Sequence, residues 1–173
     1  MNNTQPTSPP ATANVGQAAG AGADNAGVIA PPPLIYLGAL GVGFTIDATI
    51  GHASLPSAVA RPIGAALIAG GGGLIGSFVL AFGRARTPVD PHRPSEAIVT
   101  EGPYRLTRNP GYLGMALTYA GIAIASNKPW ALVPLPVAVA VIDHGVIARE
   151  ERYLERKFGA GYTDYKRRVR RWI

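Results

Sequence analysis

The sequence predicts an all-α membrane protein with about four transmembrane helices, an ordered cytoplasmic loop and a C-terminal helical extension. Composition is the first reason: 47% of the 173 residues are hydrophobic and 15% are charged, against about 25% charged in ordinary soluble domains. The second is segregation, because nearly all the charge lies in two blocks, residues 84–108 and 149–171. The long apolar runs outside these blocks approach the roughly 20 residues that a helix needs to cross a bilayer.

Four apolar segments are the candidate spans. They cover residues 34–51, about 59–82, 112–126 and about 130–148. The glycine run at residues 70–73 lacks the flanking strand and the Gly-Lys-Ser/Thr ending of a phosphate loop. It predicts close helix–helix contact instead, since small residues let helix backbones approach in lipid.

Residues 1–33 differ from the rest of the chain. They are rich in Ala, Gly and Pro, contain one charge (Asp24) and no aromatic residue, so they have too little apolar area to offset the entropy of ordering. We expect a disordered tail that is not a secretory signal. Residues 34–173 then form the transmembrane domain.

Lysine and arginine predict the orientation. The 84–108 loop holds five, the segment after the fourth span holds nine, and the 51–58 and 127–128 connections together hold one. Basic loops favour the cytoplasmic side, so we expect the loop and both termini there. The same rule accounts for the net charge of +6, and we expect membrane lipids rather than nucleic acid as partners.

The third span begins at Asn109 and Pro110, residue types preferred at the N-cap and first position of a helix. The loop before it contains prolines at positions 88, 91, 94 and 103, too many for one helix. The loop is predicted to be extended and to cover the cytoplasmic face.

The fourth span continues into "VIDHGVIAREERYLERKFGAGYTDYKRRVRRWI". Asp143, Ile147, Glu150 and Leu154 follow at spacings of 4, 3 and 4, which places them on one helix face. Ionisable groups near the cytoplasmic end of an apolar helix usually face a bundle interior or a water-filled cavity.

The helix start at Asn109 and the Glu150 and Glu151 pair fall on the same predicted side, which favours a site between them. The alternatives are structural. Glu151 and Glu155 are then solvated helix charges that pair with Arg149, Arg152 and Arg156. The segment "YKRRVRRWI" is then a polybasic membrane-surface segment, the interpretation we favour for this tail.

"GPYRLTRNPGYLG", followed about 35 residues later by "EERYLERKFGAGYTDY", resembles the isoprenylcysteine carboxyl methyltransferase and phospholipid methyltransferase superfamily. These integral-membrane enzymes use S-adenosylmethionine. Their signature is Arg-His-Pro-x-Tyr-x-Gly, a Glu-Glu pair and a Tyr-x-x-Tyr tail, and the resemblance covers about residues 87–172. The histidine of the signature is Asn109 here, which hydrogen bonds but cannot shuttle a proton near neutral pH.

The resemblance implies a cofactor-binding catalytic module at residues 87–172 with S-adenosylmethionine as cofactor. The implied catalytic residues are Arg108, Glu150 and Glu151. The implied cofactor-binding residues are Gly102, Pro103, Tyr104, Arg108, Asn109, Pro110, Tyr112, Gly114, Glu150, Glu151, Tyr162 and Tyr165. Arginine suits the cofactor's carboxylate, glutamates suit its hydroxyls and ammonium, and tyrosine faces suit its adenine or cation. We expect no metal, since the chain has no cysteine and its histidines lack ligand spacing.

The acceptor is expected to be lipophilic and to enter from the bilayer. Carboxyl O-methylation of an isoprenylcysteine-like substrate is the favoured reaction, because a carboxylate needs no base. The alternatives are N-methylation of a phospholipid amine, which needs a proton acceptor, and a non-enzymatic membrane scaffold with a degenerate site. Small thiols and other lipids remain open as acceptors, and the sequence carries no signal for an oligomeric state.

Overall fold

The computed structural model describes residues 26–51, 53–88 and 94–173, and all regular structure in these ranges is helical. The helices are α1 (Pro32–Ile50), α2 (Ser57–Arg84), α3 (Pro110–Ala125), α4 (Leu135–Ile142), α5 (Ala148–Phe158) and α6 (Ala160–Arg168). Short 3-10 turns lie at Gly102–Arg105 and Pro129–Leu132, and a π turn at Asp143–Ile147 joins α4 to α5. The predicted all-α class is confirmed.

Three helices are long and apolar enough to cross a membrane: Pro32–Ile50, Ser57–Arg84 and the continuous helix Pro129–Phe158. Helix α3 is also apolar but shorter, with 16 residues. These four helices match the four candidate spans of the sequence to within a few residues, except that the last extends ten residues further, to Phe158. The chain is an integral membrane protein, and the apolar parts of these helices form its membrane-embedded part.

Helix α3 lies at the centre of the bundle, with α2 on one side and α1 and α4 on the other. Tyr119 connects α3 to α1 and to the 3-10 turn at Pro129–Leu132. Its hydroxyl lies 3.1 Å from the carbonyl oxygen of Ala39 in α1 and 2.8 Å from that of Ala131. A hydroxyl buried in an apolar bundle needs such partners, because no water is available to it there.

Helices α2 and α3 approach at two glycine pairs. A Cβ on Gly114 would lie 2.7 Å from the carbonyl oxygen of Gly71, and one on Gly121 would lie 2.8 Å from that of Gly64. Any larger residue would separate the two backbones. The predicted close contact at the glycine run is thus confirmed for Gly71, while the other three glycines of residues 70–73 have open space around them.

The N-terminal segment departs from the prediction. Residues 26–31 pack against the bundle: Val28 belongs to the core cluster that includes Val146, and the Gly27 carbonyl oxygen accepts a hydrogen bond from Arg149 Nη1 at 2.9 Å. Helix α1 begins at Pro32. The prediction of disorder is therefore wrong for residues 26–33, because Val28 and Ile29 find an apolar surface to cover. Residues 1–25 lie outside the described residues, as do His52 and His92.

The π turn corrects a second expectation. A π turn adds one residue to a helical turn, which rotates the following helix by about 100° relative to an unbroken one. Asp143 and Glu150 therefore do not lie on the same helix face, contrary to the prediction. Asp143 shares a partner with Glu151 instead, since Arg171 bonds to both carboxylates.

Candidate active site

A cavity of about 120 Å³ opens at the end of the bundle where α2 ends and α3 begins. Its walls come from α2, residues 94–109, the first turn of α3, α5 and α6, and they are largely apolar and aromatic. Eight of the twelve residues implied by the resemblance line it: Tyr104, Arg108, Asn109, Tyr112, Glu150, Glu151, Tyr162 and Tyr165. The structure thus brings the helix start and the glutamate pair together.

The other four implied residues shape the backbone around the cavity. Gly102 begins the 3-10 turn with a φ of 60°, and Pro103 is its second residue. Pro110 is buried at the start of α3, and Gly114 packs against Gly71. None of the four is among the residues of the cavity wall.

Glu150 is a carboxylate of the cavity wall. It lies half-buried in the first turn of α5, and its Oε1 accepts a hydrogen bond from the Tyr112 hydroxyl at 2.7 Å. Within the described ranges of the chain, no lysine or arginine pairs with it. A carboxylate offers about four acceptor positions, so most of its capacity remains for a ligand that donates hydrogen bonds or bears a positive charge.

Glu151 has the opposite surroundings. Its side chain is 6% exposed and lies between two arginines, with Arg108 Nη2 at 2.7 Å from Oε1 and Arg171 Nη2 at 2.6 Å from Oε2. Lys166 Nζ is 3.6 Å from Oε2. The interpretation of Glu151 as a solvated helix charge is therefore wrong: it anchors a buried ion-pair network.

Arg108 is held in the cavity wall by its terminal nitrogens. Nη1 donates to the carbonyl oxygens of Lys166 and Val169, each at 2.8 Å, and Nη2 donates to Glu151. Nε is buried without a hydrogen-bond partner. Of the five N–H donors of Arg108, the one on Nε and the second one on Nη2 therefore remain for the expected contact with the cofactor's carboxylate.

Asn109 does not cap α3 with its side chain, although it occupies the N-cap position. Its Nδ2 donates to the Arg171 carbonyl oxygen at 2.9 Å. The same oxygen accepts from the Thr107 hydroxyl at 3.1 Å, and the Arg108 N–H donates to the Arg170 carbonyl oxygen at 2.9 Å. The capping expectation is corrected: the amide fastens the C-terminal segment to the start of α3.

Three buried tyrosines, Tyr104, Tyr162 and Tyr165, form one cluster. The Tyr165 hydroxyl donates to the Tyr104 carbonyl oxygen at 2.8 Å. Burial raises the pKa of all three hydroxyls well above the usual value. They therefore stay neutral and offer aromatic faces to the cavity rather than proton chemistry.

The apolar half of the site was not predicted from the sequence. The cavity is also lined by Phe78, Phe82, Ile98, Val99, Tyr153 and Leu154. One usable signal was present, since Phe78 and Phe82 are four residues apart in the last turns of α2 and hence on one face. In the described part of the chain, no group of three or more His, Asp or Glu residues is placed to hold a metal ion.

Comparison with known proteins gives the reaction class. The model of the phospholipid methyltransferase family matches residues 59–161. An uncharacterized protein of Haemophilus influenzae is 39% identical over 62 residues, which is 36% of this chain and 98% of that protein. Protein-S-isoprenylcysteine O-methyltransferase B of Arabidopsis thaliana is 31% identical over 93 residues, 53% of this chain and 47% of the plant enzyme. No solved structure matches.

The family match covers more than half of the chain and includes both the helix start at Asn109 and the glutamate pair. The family match and the plant relative support a membrane methyltransferase of the isoprenylcysteine carboxyl and phospholipid methyltransferase type. The chain belongs to the phospholipid methyltransferase family. It spans about half the length of the plant relative.

Proposed function

We propose that this chain is an S-adenosylmethionine-dependent methyltransferase that acts on a lipophilic acceptor. Glu150 is the observation on which this rests most. It is a carboxylate without a cationic partner among the described residues, and it faces an aromatic cavity at the end of an apolar bundle. Membership of a methyltransferase family supports the same reaction class, and such families generally take the methyl group from S-adenosylmethionine.

The chemistry of the cavity wall fits this cofactor. Glu150, oriented by Tyr112, would accept hydrogen bonds from the ammonium or the ribose hydroxyls. The faces of Tyr104 and Tyr162 would cover the adenine or the cation. When bound, the cofactor supplies a methyl group activated by a sulfonium. The task of the chain is then to align the acceptor and to exclude water, which alone accelerates a displacement strongly.

An isoprenylcysteine-like carboxylate is the proposed acceptor. A carboxylate is already an anion and needs no base, whereas a phospholipid amine must lose a proton first. Asn109 cannot accept that proton near neutral pH, none of the described residues that line the cavity is a histidine, and the proposal assigns Glu150 to the cofactor. Phe78 and Phe82 offer an apolar wall for a prenyl chain, and the name of the plant relative agrees with this substrate class.

The site is proposed to face the cytoplasm. The cavity lies at the end of the bundle formed by the C-terminal end of α2 and the start of α3. The two basic blocks of the sequence flank this same end, and basic segments favour the cytoplasmic side. A prenylated substrate in the cytoplasmic leaflet would then reach the cavity laterally.

A labelled-methyl assay tests the proposal. Purified protein in detergent receives methyl-labelled S-adenosylmethionine with either N-acetyl-S-farnesylcysteine or phosphatidylethanolamine vesicles. The farnesyl substrate should acquire label that mild alkali releases as methanol, the behaviour of a methyl ester. N-acetyl-S-farnesylcysteine methyl ester, whose carboxylate is blocked, should acquire none.

The other outcomes of this assay distinguish the alternative functions. Alkali-stable label in phosphatidylethanolamine, with none in the farnesyl substrate, would replace O-methylation by phospholipid N-methylation. Cofactor binding without transfer to either acceptor would contradict the proposed acceptor class. Absence of cofactor binding would contradict the proposed function as a whole and favour the membrane scaffold.

A further inference from the structure

The C-terminal segment, residues 166–172, folds back across the mouth of the bundle and is fastened there at several points. Its carbonyl oxygens at Lys166, Val169 and Arg171 accept hydrogen bonds from Arg108 and Asn109. The Trp172 indole N–H donates to Asp143 Oδ1 at 2.9 Å. This segment lies beyond the family match, which ends at residue 161.

Arg171 is the centre of this attachment. Its Nη1 donates to Asp143 Oδ2 at 2.9 Å, its Nη2 to Glu151 Oε2 at 2.6 Å and its Nε to Glu151 Oε1 at 3.1 Å. The guanidinium thus bridges two carboxylates that the π turn has brought to the same side. A planar fork of this kind suits arginine and not lysine. The interpretation of the tail as a free membrane-surface segment is therefore wrong for Arg171 and Trp172.

The charges of this network balance. Arg108, which is nearly buried, and Arg171, which is partly exposed, face Glu151 and Asp143, so each cation meets carboxylate oxygens. Glu150 stands next to the network but has no share in its cations. A buried arginine that lost its carboxylate would seek another one, because an unpaired buried charge is very costly. An alternative for Arg108 is Glu150, the residue before Glu151 in α5, because the side chains of Arg108 and Glu150 line the same cavity.

We propose that Arg171 is a positioning residue for the cofactor site. By holding Glu151 in place it keeps Arg108 bound to Glu151, and Glu150 stays free for a cationic ligand. This inference rests on the proposed function. It adds that the selectivity of the cavity for a sulfonium or ammonium depends on a residue outside the motif that carries the resemblance.

The first test needs no cofactor. In a Trp130→Phe background, Trp172 is the only tryptophan, and its emission reports whether the C-terminal segment is docked. Arg171→Ala should shift that emission to longer wavelength and raise its quenching by acrylamide. Arg170→Ala is the matched control, since it removes the neighbouring exposed positive charge and leaves the Arg170 carbonyl oxygen in place.

The second test measures dissociation constants by calorimetry on the full chain in detergent, for S-adenosylmethionine and for 5′-methylthioadenosine, which carries neither the sulfonium nor the ammonium. Arg171→Ala should weaken S-adenosylmethionine binding about tenfold or more, and 5′-methylthioadenosine binding less, because the network protects the preference of the cavity for a positive charge. Arg171→Lys should restore binding only in part. In a Glu151→Gln background, Arg171→Ala should add little further loss.

Equal affinity of Arg171→Ala and Arg170→Ala, with wild-type binding intact, would overturn the inference and leave the proposed function standing. A wild-type protein that binds no S-adenosylmethionine would contradict the proposed function itself, whatever the emission shows. If Arg171→Ala does not fold, Asp143→Asn takes its place, since it weakens one side of the Arg171 bridge and keeps its shape. Unchanged emission and affinity in that variant would equally overturn the inference.

Discussion

Glu150 and Glu151 are neighbours in one helix, yet their carboxylates have different surroundings. Glu151 is bound by two arginines and is almost completely buried. Glu150 is bound by a single neutral hydroxyl. A helix turns by about 100° per residue, which is enough to place one carboxylate in the packed wall and the other in the cavity. The sequence identifies the glutamate pair but does not show which glutamate faces the cavity and which one forms the ion pairs.

Asn109 gives a test at the same scale. Asn109→Ala removes the hydrogen bond to the Arg171 carbonyl oxygen, and we expect a loss of about 0.5–1.5 kcal/mol in the free energy of unfolding. The loss should come with higher protease susceptibility of the C-terminal segment, because the Asn109 amide fastens that segment. Unfolding in mixed micelles and limited trypsin digestion measure both. A loss of stability without faster cleavage after residues 166–171 would contradict this role.

The elements owe their arrangement to two local features, the glycine pairs between α2 and α3 and the π turn between α4 and α5. The first sets how closely α2 approaches the start of α3, and so the width of the cavity between them. The second sets which carboxylates of the π turn and of α5 point the same way. Neither the glycine pairs nor the π turn can be recognised in the sequence from its apolar spans, although both determine the shape of the site.

The glycine contact predicts opposite results at two nearby positions. Gly71→Ala places a Cβ 2.5 Å from the Gly114 carbonyl oxygen, which forces α2 and α3 apart and should cost about 1–3 kcal/mol. Gly72→Ala meets open space and should be neutral, or stabilising by up to about 1 kcal/mol, since alanine is the better helix former. Unfolding of both variants in the same micelles measures the difference. Equal effects would show that the two helices do not pack at Gly71.

The N-terminal segment gives a second test at the scale of elements. Deleting residues 2–31 removes Val28 from the core and the Gly27 contact of Arg149, so it should lower the unfolding temperature. Deleting residues 2–25 leaves these contacts in place, and we expect it to have no effect. Differential scanning fluorimetry compares the two. If the longer deletion is as stable as the shorter one, the packing of residues 26–31 contributes nothing.

At the scale of the whole molecule, one end of the bundle holds the site and the other is a structural closure. The turn at residues 126–128 is joined there to α1 and to the loop after it: Lys128 pairs with Asp47 of α1 at 3.2 Å, and the Asn127 side chain accepts from the Leu55 N–H at 2.8 Å. The site end holds the cavity, the ion-pair network and the C-terminal segment. This polarity matches the distribution of lysine and arginine in the sequence.

Cysteine labelling tests this polarity in a chain with no cysteine of its own. Thr100→Cys and Thr163→Cys should react from the same, cytoplasmic side of the membrane, while Ala53→Cys should react from the other. All three positions are exposed. A membrane-impermeant maleimide applied to oriented vesicles distinguishes the sides. Labelling of Thr100→Cys and Thr163→Cys from opposite sides would contradict the four-helix arrangement and the composite site with it.

The sequence predicted what depends on long patterns and missed what depends on local geometry. Apolar length and charge segregation located the four helices, and the resemblance located eight of the residues that line the cavity. The partner of Asp143 could not be predicted, because a single extra residue in the π turn changes the helix register without a sequence signal. The role of Arg171 was hidden for a similar reason: in sequence it is one of several arginines in a basic tail.

The central claim is that Glu150 receives the positively charged cofactor, and calorimetry with S-adenosylmethionine on two matched variants tests it most directly. Glu150→Gln keeps the shape and removes the charge, so affinity should fall by about tenfold to a hundredfold, the equivalent of one charge-assisted hydrogen bond. Asp164→Asn removes an exposed carboxylate outside the cavity and should bind as the wild type does. Wild-type affinity in Glu150→Gln, or an equal loss in both variants, would contradict the account.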